Sequence, residues 1–145
     1  MIMADSDVLI NLCTAIYTLF ATDNGFNTSV SGKLFENEAP EGTEYPYAVY
    51  SIVAAPKNKT FSEEYTNTLF QLSLFSANMD SKEIKNIYSQ QRELFNDCLL
   101  AITGSNHLWM IEENMITDVW EETTDEGTTK GRVYHVDYDI LTCLN

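Results

Sequence analysis

Tyr134-His135-Val136-Asp137-Tyr138-Asp139-Ile140 alternates apolar and polar side chains without a break. Successive side chains of a strand point to opposite faces, so this run buries Tyr134, Val136, Tyr138 and Ile140 on one side. Its other side carries His135, Asp137 and Asp139 toward solvent. A strand with one dry and one wet face fits an antiparallel sheet covered on a single side. This strand is expected to span Arg132 to Leu141.

The same signature recurs upstream. Tyr65 to Ser76 sets Phe70, Leu72 and Leu74 against Gln71 and Ser73, and Tyr47 to Val53 is rich in aromatic and β-branched residues. Met115 to Glu122 reads as a further strand, with Trp109 to Glu112 and Lys33-Leu34-Phe35 as short ones. Thr123 to Gly131 reads as a turn-rich connection. The connection Ala55 to Glu64 is long for a hairpin, where two to five residues are usual, and is expected to project as an arm.

Two segments follow helical spacing. After Asp5-Ser6-Asp7, which supplies capping residues, come Leu9, Leu12, Cys13, Ile16, Leu19 and Phe20, with a stop expected near Asp23-Asn24-Gly25. From Asp80-Ser81 a second stripe runs Ile84, Ile87, Tyr88, Leu94, Phe95, Cys98, Leu99, Ile102, with Gly104 as its stop. Gln91 interrupts this stripe and is expected at the edge of the core. Phe26 to Glu44 reads as a loop.

The fold expected is α+β: a mostly antiparallel sheet with two amphipathic helices packed on one face, forming a single domain over residues 1–145. Its core should contain Leu12, Ile16, Leu72, Ile87, Leu94, Phe95 and Tyr138.

The totals exclude several classes. Twenty-two acids against eight bases give a net charge of −14, which repels phosphate backbones and disfavours specific nucleic-acid binding. No run is apolar enough to span a membrane. Asp5 and Asp7 stand where a secretory leader carries Lys or Arg, so none is expected. Cys13, Cys98 and Cys143 lie far apart with no C-x-x-C pair, which points to free thiols in a reducing compartment.

A search for chemistry returns little. The glycines stand in turns and form no phosphate loop. His135, Asp137 and Asp139 share a strand face and could hold a divalent ion, but such a triplet is what a half-buried strand produces anyway. His107 has no partner near it in sequence and reads as a loop residue. Cys13 and Cys98, on apolar stripes, read as small buried hydrophobes. Neighbouring acid pairs such as Glu112-Glu113 and Glu121-Glu122 point to opposite faces and do not converge. No catalytic, metal or cofactor residue is assigned.

With its elements in order, the chain resembles the tail terminator (tail completion) proteins of long-tailed bacteriophages. The resemblance runs from Ile16-Tyr17-Thr18-Leu19-Phe20 through Lys33-Leu34-Phe35 to Ala39-Pro40-Glu41-Gly42-Thr43 and Tyr45-Pro46-Tyr47-Ala48-Val49-Tyr50. It continues through Leu69 to Phe75, the second helix and the closing run Arg132 to Asp139. The long connection at Ala55 to Glu64 and the acidic penultimate strand depart from a compact version. The resemblance implies a homo-hexameric ring, a virion component made in the host cytoplasm. It would cap the tail tube at the neck and join it to the head connector or stopper protein, without enzymatic activity.

Other readings stay open at this stage: another neck protein (head-closure or adaptor), a small metal-dependent hydrolase using His135, Asp137 and Asp139, or an acidic DNA mimic. On a ring, Lys57, Lys59 and Phe61 of the expected arm are candidate interface residues, able to meet a neighbour's acidic strand. Some of Glu112, Glu113, Asp118, Glu121, Glu122, Asp125 and Glu126 are expected to face the opening through which DNA passes. The hairpin tip Asp125-Glu126 leads among them, and a solvated outer surface is the alternative.

Overall fold

The alternating run lies at the heart of the sheet. The computed structural model describes residues 5–55, 57–59, 64–102 and 105–144. Three helices occur in it: α1 (Asp5–Phe20), α2 (Gly25–Ser29) and α3 (Lys82–Phe95). The strands are β1 (Leu34–Glu36), β2 (Tyr47–Ala54), β3 (Lys57–Lys59), β4 (Glu64–Ser76), β5 (Ser105–Thr124) and β6 (Gly127–Leu144). The sheet order is β1-β2-β4-β6-β5, with β3 paired to the start of β4. Every pairing is antiparallel except β1 with β2.

Register aligns the apolar residues into rows. Tyr50, Leu72 and Val136 face one another across β2, β4 and β6, as do Ala48, Leu74 and Tyr134. All six are buried. Each large apolar side chain buried this way contributes roughly 1.5–3 kcal/mol. Leu12, Ile16 and Phe20 of α1 join the same cluster, as do Ile84, Ile87 and Phe95 of α3, so both long helices cover one face as expected. Edge-to-face rings connect them: Phe20 to Phe26 at 5.3 Å, Phe26 to Phe95 at 5.9 Å, Phe95 to Tyr138 at 6.5 Å.

Phe26 belongs to α2, a five-residue helix inside the stretch read as a loop. It explains why α1 ends at Phe20, short of Gly25. Asn24 Nδ2 donates to the Phe20 carbonyl at 3.0 Å, and Asn24 Oδ1 accepts the Asn27 N–H at 2.8 Å. One side chain therefore closes α1 and opens α2. Gly25 is the first residue of α2, not the C-terminal stop of α1.

The second long helix is shorter than its stripe suggested. It stops at Phe95, and Asp97 takes a left-handed φ of 60°. The following chain is held against β5 by Asp97 N–H to the Met110 carbonyl (2.9 Å) and Glu112 N–H to Asn96 Oδ1 (3.1 Å). Leu100 and Ile102 are buried from this extended segment, while Leu99 is 83% exposed. Gln91 is not at the core's edge. It is fully buried and its Nε2 donates to the Tyr138 hydroxyl. Tyr138→Phe removes that acceptor and strands the amide. This should cost about 1–3 kcal/mol in urea unfolding, and Gln91→Leu added to it should recover part of the loss.

β5 and β6 correct the strand map most. Met115 to Glu122 and Trp109 to Glu112 belong to one strand, and the turn-rich Thr123 to Gly131 is mostly ladder, turning only at Asp125-Glu126. Bulges between His107 and Trp109 and between Glu112 and Asn114 break the alternation that identifies a strand. His107 lies in β5, where its Nδ1 accepts the Leu100 N–H at 3.0 Å. Burial lowers its pKa, opposed by a hydrogen bond to the Trp109 backbone. The unfolded chain therefore takes up the proton first as pH falls. Stability should be full above about pH 6.5 and decline below it. Thermal melts at pH 7 and pH 5 should show a smaller drop for His107→Gln than for the native chain.

Candidate assembly surface

The hairpin of β5 and β6 outruns the sheet. Its last ladder pair with β4 is Ser76 with Arg132. Beyond it come five further pairs, from Trp120 with Gly131 to Thr124 with Gly127. At about 3.4 Å per residue these carry the tip about 17 Å past that last β4 pair. Every residue from Glu121 to Lys130 is exposed. This is the projecting arm. The connection read as an arm instead returns Lys57–Lys59 to the sheet as β3, opposite Glu64, Tyr65 and Thr66. Phe61 lies outside the described residues.

An aromatic stack locks the arm at its foot, on the face away from the helices. Trp120 stacks on Tyr45 at 4.6 Å and 6°, Tyr45 meets Tyr47 at 5.1 Å with its ring tilted by 31°, and Tyr47 stacks on Phe75 at 4.9 Å. Trp120 Nε1 donates to the Ser76 carbonyl at 2.9 Å. The ring lies over Gly131, where a Cβ would stand 2.5 Å from it and 2.0 Å from the Ser76 oxygen. Arg132 Nε donates to the Met79 carbonyl at 2.7 Å, tying the arm to the segment before α3. The Tyr45-Pro46-Tyr47 stretch that carries the family resemblance thus holds the arm. Sequence reading missed this lock because Gly131 passed for a turn glycine; a glycine inside a strand pattern was the available signal.

The same sheet face is apolar along β5. Trp109 is 43% exposed, Ile111 41% and Ile116 51%. They pair with Leu141, Asp139 and His135 of β6, which places them on the uncovered side. β5 is an edge strand, and its edge is partly blunted: Asn114 Oδ1 accepts the Met115 N–H at 2.9 Å, and Asp118 Oδ1 the Val119 N–H at 2.8 Å. Such capping opposes addition of another strand while leaving the side chains free to meet a partner.

His135, Asp137 and Asp139 do share the solvent-side face, as the alternation demanded. Two of them are already engaged: His135 Nδ1 with Ser73 Oγ at 2.7 Å, and Asp137 Oδ1 with Gln71 Nε2 at 3.1 Å. Among the described residues no group of three His, Cys, Asp or Glu is placed to hold a metal. Nor does a carboxylate there bond the second ring nitrogen of His135, so Ser73 and His135 make no triad. Burial pushes the Cys13 and Cys98 thiols up to about 11, the opposite of an activated nucleophile. Of the seven acids, Glu112 turns toward the helices, where it accepts from the Tyr88 hydroxyl and pairs with Arg92 at 3.2 Å. No described helix is long and apolar enough to cross a membrane.

Among the described residues, the prominent surface features are an uncovered apolar row on β5 and a projecting arm. The profile of the tail completion protein gp17 family matches residues 14–142, and the chain belongs to that family. It is a structural component of phage-type virions. Among solved structures, a chain of the virion of a native gene transfer agent particle superposes with a TM-score of 0.71 at 11% identity. That alignment covers 93% of this chain and 97% of the other, and it shows a shared fold. A second solved chain, at 12% identity, reaches only 0.49. No curated protein matches the sequence.

Proposed function

We propose that the protein forms a homo-hexameric ring at the neck of the virion, capping the tail tube and presenting the surface that the head connector or stopper binds. What supports this reading is the apolar side of β5 beside the projecting arm, in a member of the tail completion family. A face holding Trp109, Ile111 and Ile116 in water is costly for a monomer and is relieved by assembly. On this reading the chain is made in the host cytoplasm and has no catalytic role.

DNA crosses such a ring without being held. A basic lining would retain it, because each cation pairing with a phosphate releases counterions and adds affinity. With a net charge of −14 the protein is suited to the opposite task. The exposed acids Glu113, Asp118, Glu121, Glu122, Asp125 and Glu126 are the candidate lining; Glu112, engaged by Arg92 and Tyr88, is not. Lys57 and Lys59 remain proposed interface residues at the β3 edge.

Electron microscopy of purified protein mixed with tail tubes tests the assignment. Protein at tube ends supports a terminator. Binding only to the portal–adaptor complex would instead make it a head-closure protein.

A further inference from the structure

Lys82 and Lys85 stand on the exposed side of the first turn of α3, with Asn86, Ser89 and Arg92 continuing that side. The acids around them have other partners. Glu83 accepts from Ser76 Oγ at 2.6 Å and Asn78 Nδ2 at 3.1 Å, and Asp80 Oδ1 accepts the Lys82 backbone N–H at 2.9 Å. Among the described residues neither lysine side chain is in an ion pair. A helix N-terminus already carries positive partial charge, so two lysines there make the spot more basic still. In a chain of net −14 this is an unusual place, and it lies beside the foot of the arm, where Arg132 holds Met79.

The arm ends in the complementary charge. Glu121, Glu122, Asp125 and Glu126 surround the tip, with Lys130 opposite Glu121 as the one base between them. The tip points past the end of the sheet and away from the body. Its ladder runs without a bulge from Asn114 to Thr124, which carries Asp125 and Glu126 about 17 Å beyond the last β4 pair, Ser76 with Arg132. An acidic tip that projects beyond the sheet and a basic helix start on the body are complementary surfaces for a second copy of the chain.

We infer that the Asp125-Glu126 tip of one copy docks on Lys82 and Lys85 at the start of α3 in the next copy. The contact is head-to-tail, because different patches meet, and head-to-tail contacts generate closed rings when the rotation closes. Arm length then sets the spacing between neighbouring copies. The inference rests on the ring reading and adds which surfaces make the ring. It also moves Asp125 and Glu126 from the lining to a contact between copies, leaving Glu113 and Asp118 to face the opening.

Charge swapping tests it on the full chain. One variant reverses the tip (Asp125→Lys with Glu126→Lys), a second reverses the helix (Lys82→Glu with Lys85→Glu), and a third carries all four changes. Melting curves verify folding, and the assembled mass in low salt and the yield of particles with capped tails are both measured. Each single reversal sets like charges face to face and should weaken assembly about tenfold or more. The four-fold variant should recover it. So should an equimolar mixture of the first two, because every tip then meets a helix of opposite sign. Wild-type-like assembly of both reversed variants, or no recovery in the four-fold variant, overturns the contact while leaving the ring in place. A native chain that stays monomeric on normally capped tails overturns both.

Discussion

Replacing Phe95 by alanine is expected to cost about 3–5 kcal/mol, measured as the loss of unfolding free energy in urea. Its ring is fully buried and is the hinge of the aromatic chain that joins Phe26 of α2 to Tyr138 of β6. Alanine leaves a cavity where two helices and the sheet meet, and none of the three elements can move in to fill it. Leu94 was expected in the core beside it but is only half-buried, so Leu94→Ala should cost about 1 kcal/mol. Equal effects of the two substitutions would mean that α3 presents a different face to the sheet.

Gly131→Ala carries the second large effect. Its Cβ would fall 2.0 Å from a backbone oxygen, which cannot rotate away as a side chain could. Either β6 shifts against β4 or Trp120 leaves its place over the glycine. Overpacking of this kind costs about 1–3 kcal/mol, occasionally more, and backbone contact puts it at the upper end. Either movement disturbs the Trp120 bond to Ser76 and its stack on Tyr45, so its emission should move to longer wavelength. Unchanged emission with unchanged stability would show that the arm is not locked at this point.

The sheet and its helices were legible wherever periodicity was unbroken. Tyr134 to Ile140 and Phe70 to Leu74 alternate, and Leu12, Ile16 and Phe20 keep one helical stripe, so their burial followed from spacing alone. Legibility failed where a local device broke the period or imitated it. Two bulges made β5 look like two strands. Beyond Phe95, Cys98, Leu99 and Ile102 keep helical spacing, yet the left-handed turn at Asp97 sends them into extended chain. Five-residue α2 is too short to show a period. Gln91 looked misplaced because its partner, the Tyr138 hydroxyl, lies far off in sequence.

The candidate surface was half visible. The hairpin tip Asp125-Glu126 was placed correctly at a turn, since loop chemistry surrounds it. That the arm grows from β5 and β6 could not be read from Ala55 to Glu64, whose length suggested a projection when β3 in fact rejoins the sheet. The apolar row Trp109, Ile111, Ile116 was hidden by the bulge between Glu112 and Asn114, which changes the facing of every later residue.

The central claim is that this chain closes into a ring on the end of a tail tube. The most direct measurement is the mass of its assembly, alone and on growing tubes, with tube length followed over time. A closed ring of fixed mass at one tube end, with elongation stopped there, is the predicted result. Tubes that keep growing at their usual rate, with the protein absent from their ends or bound only as single chains, would contradict it.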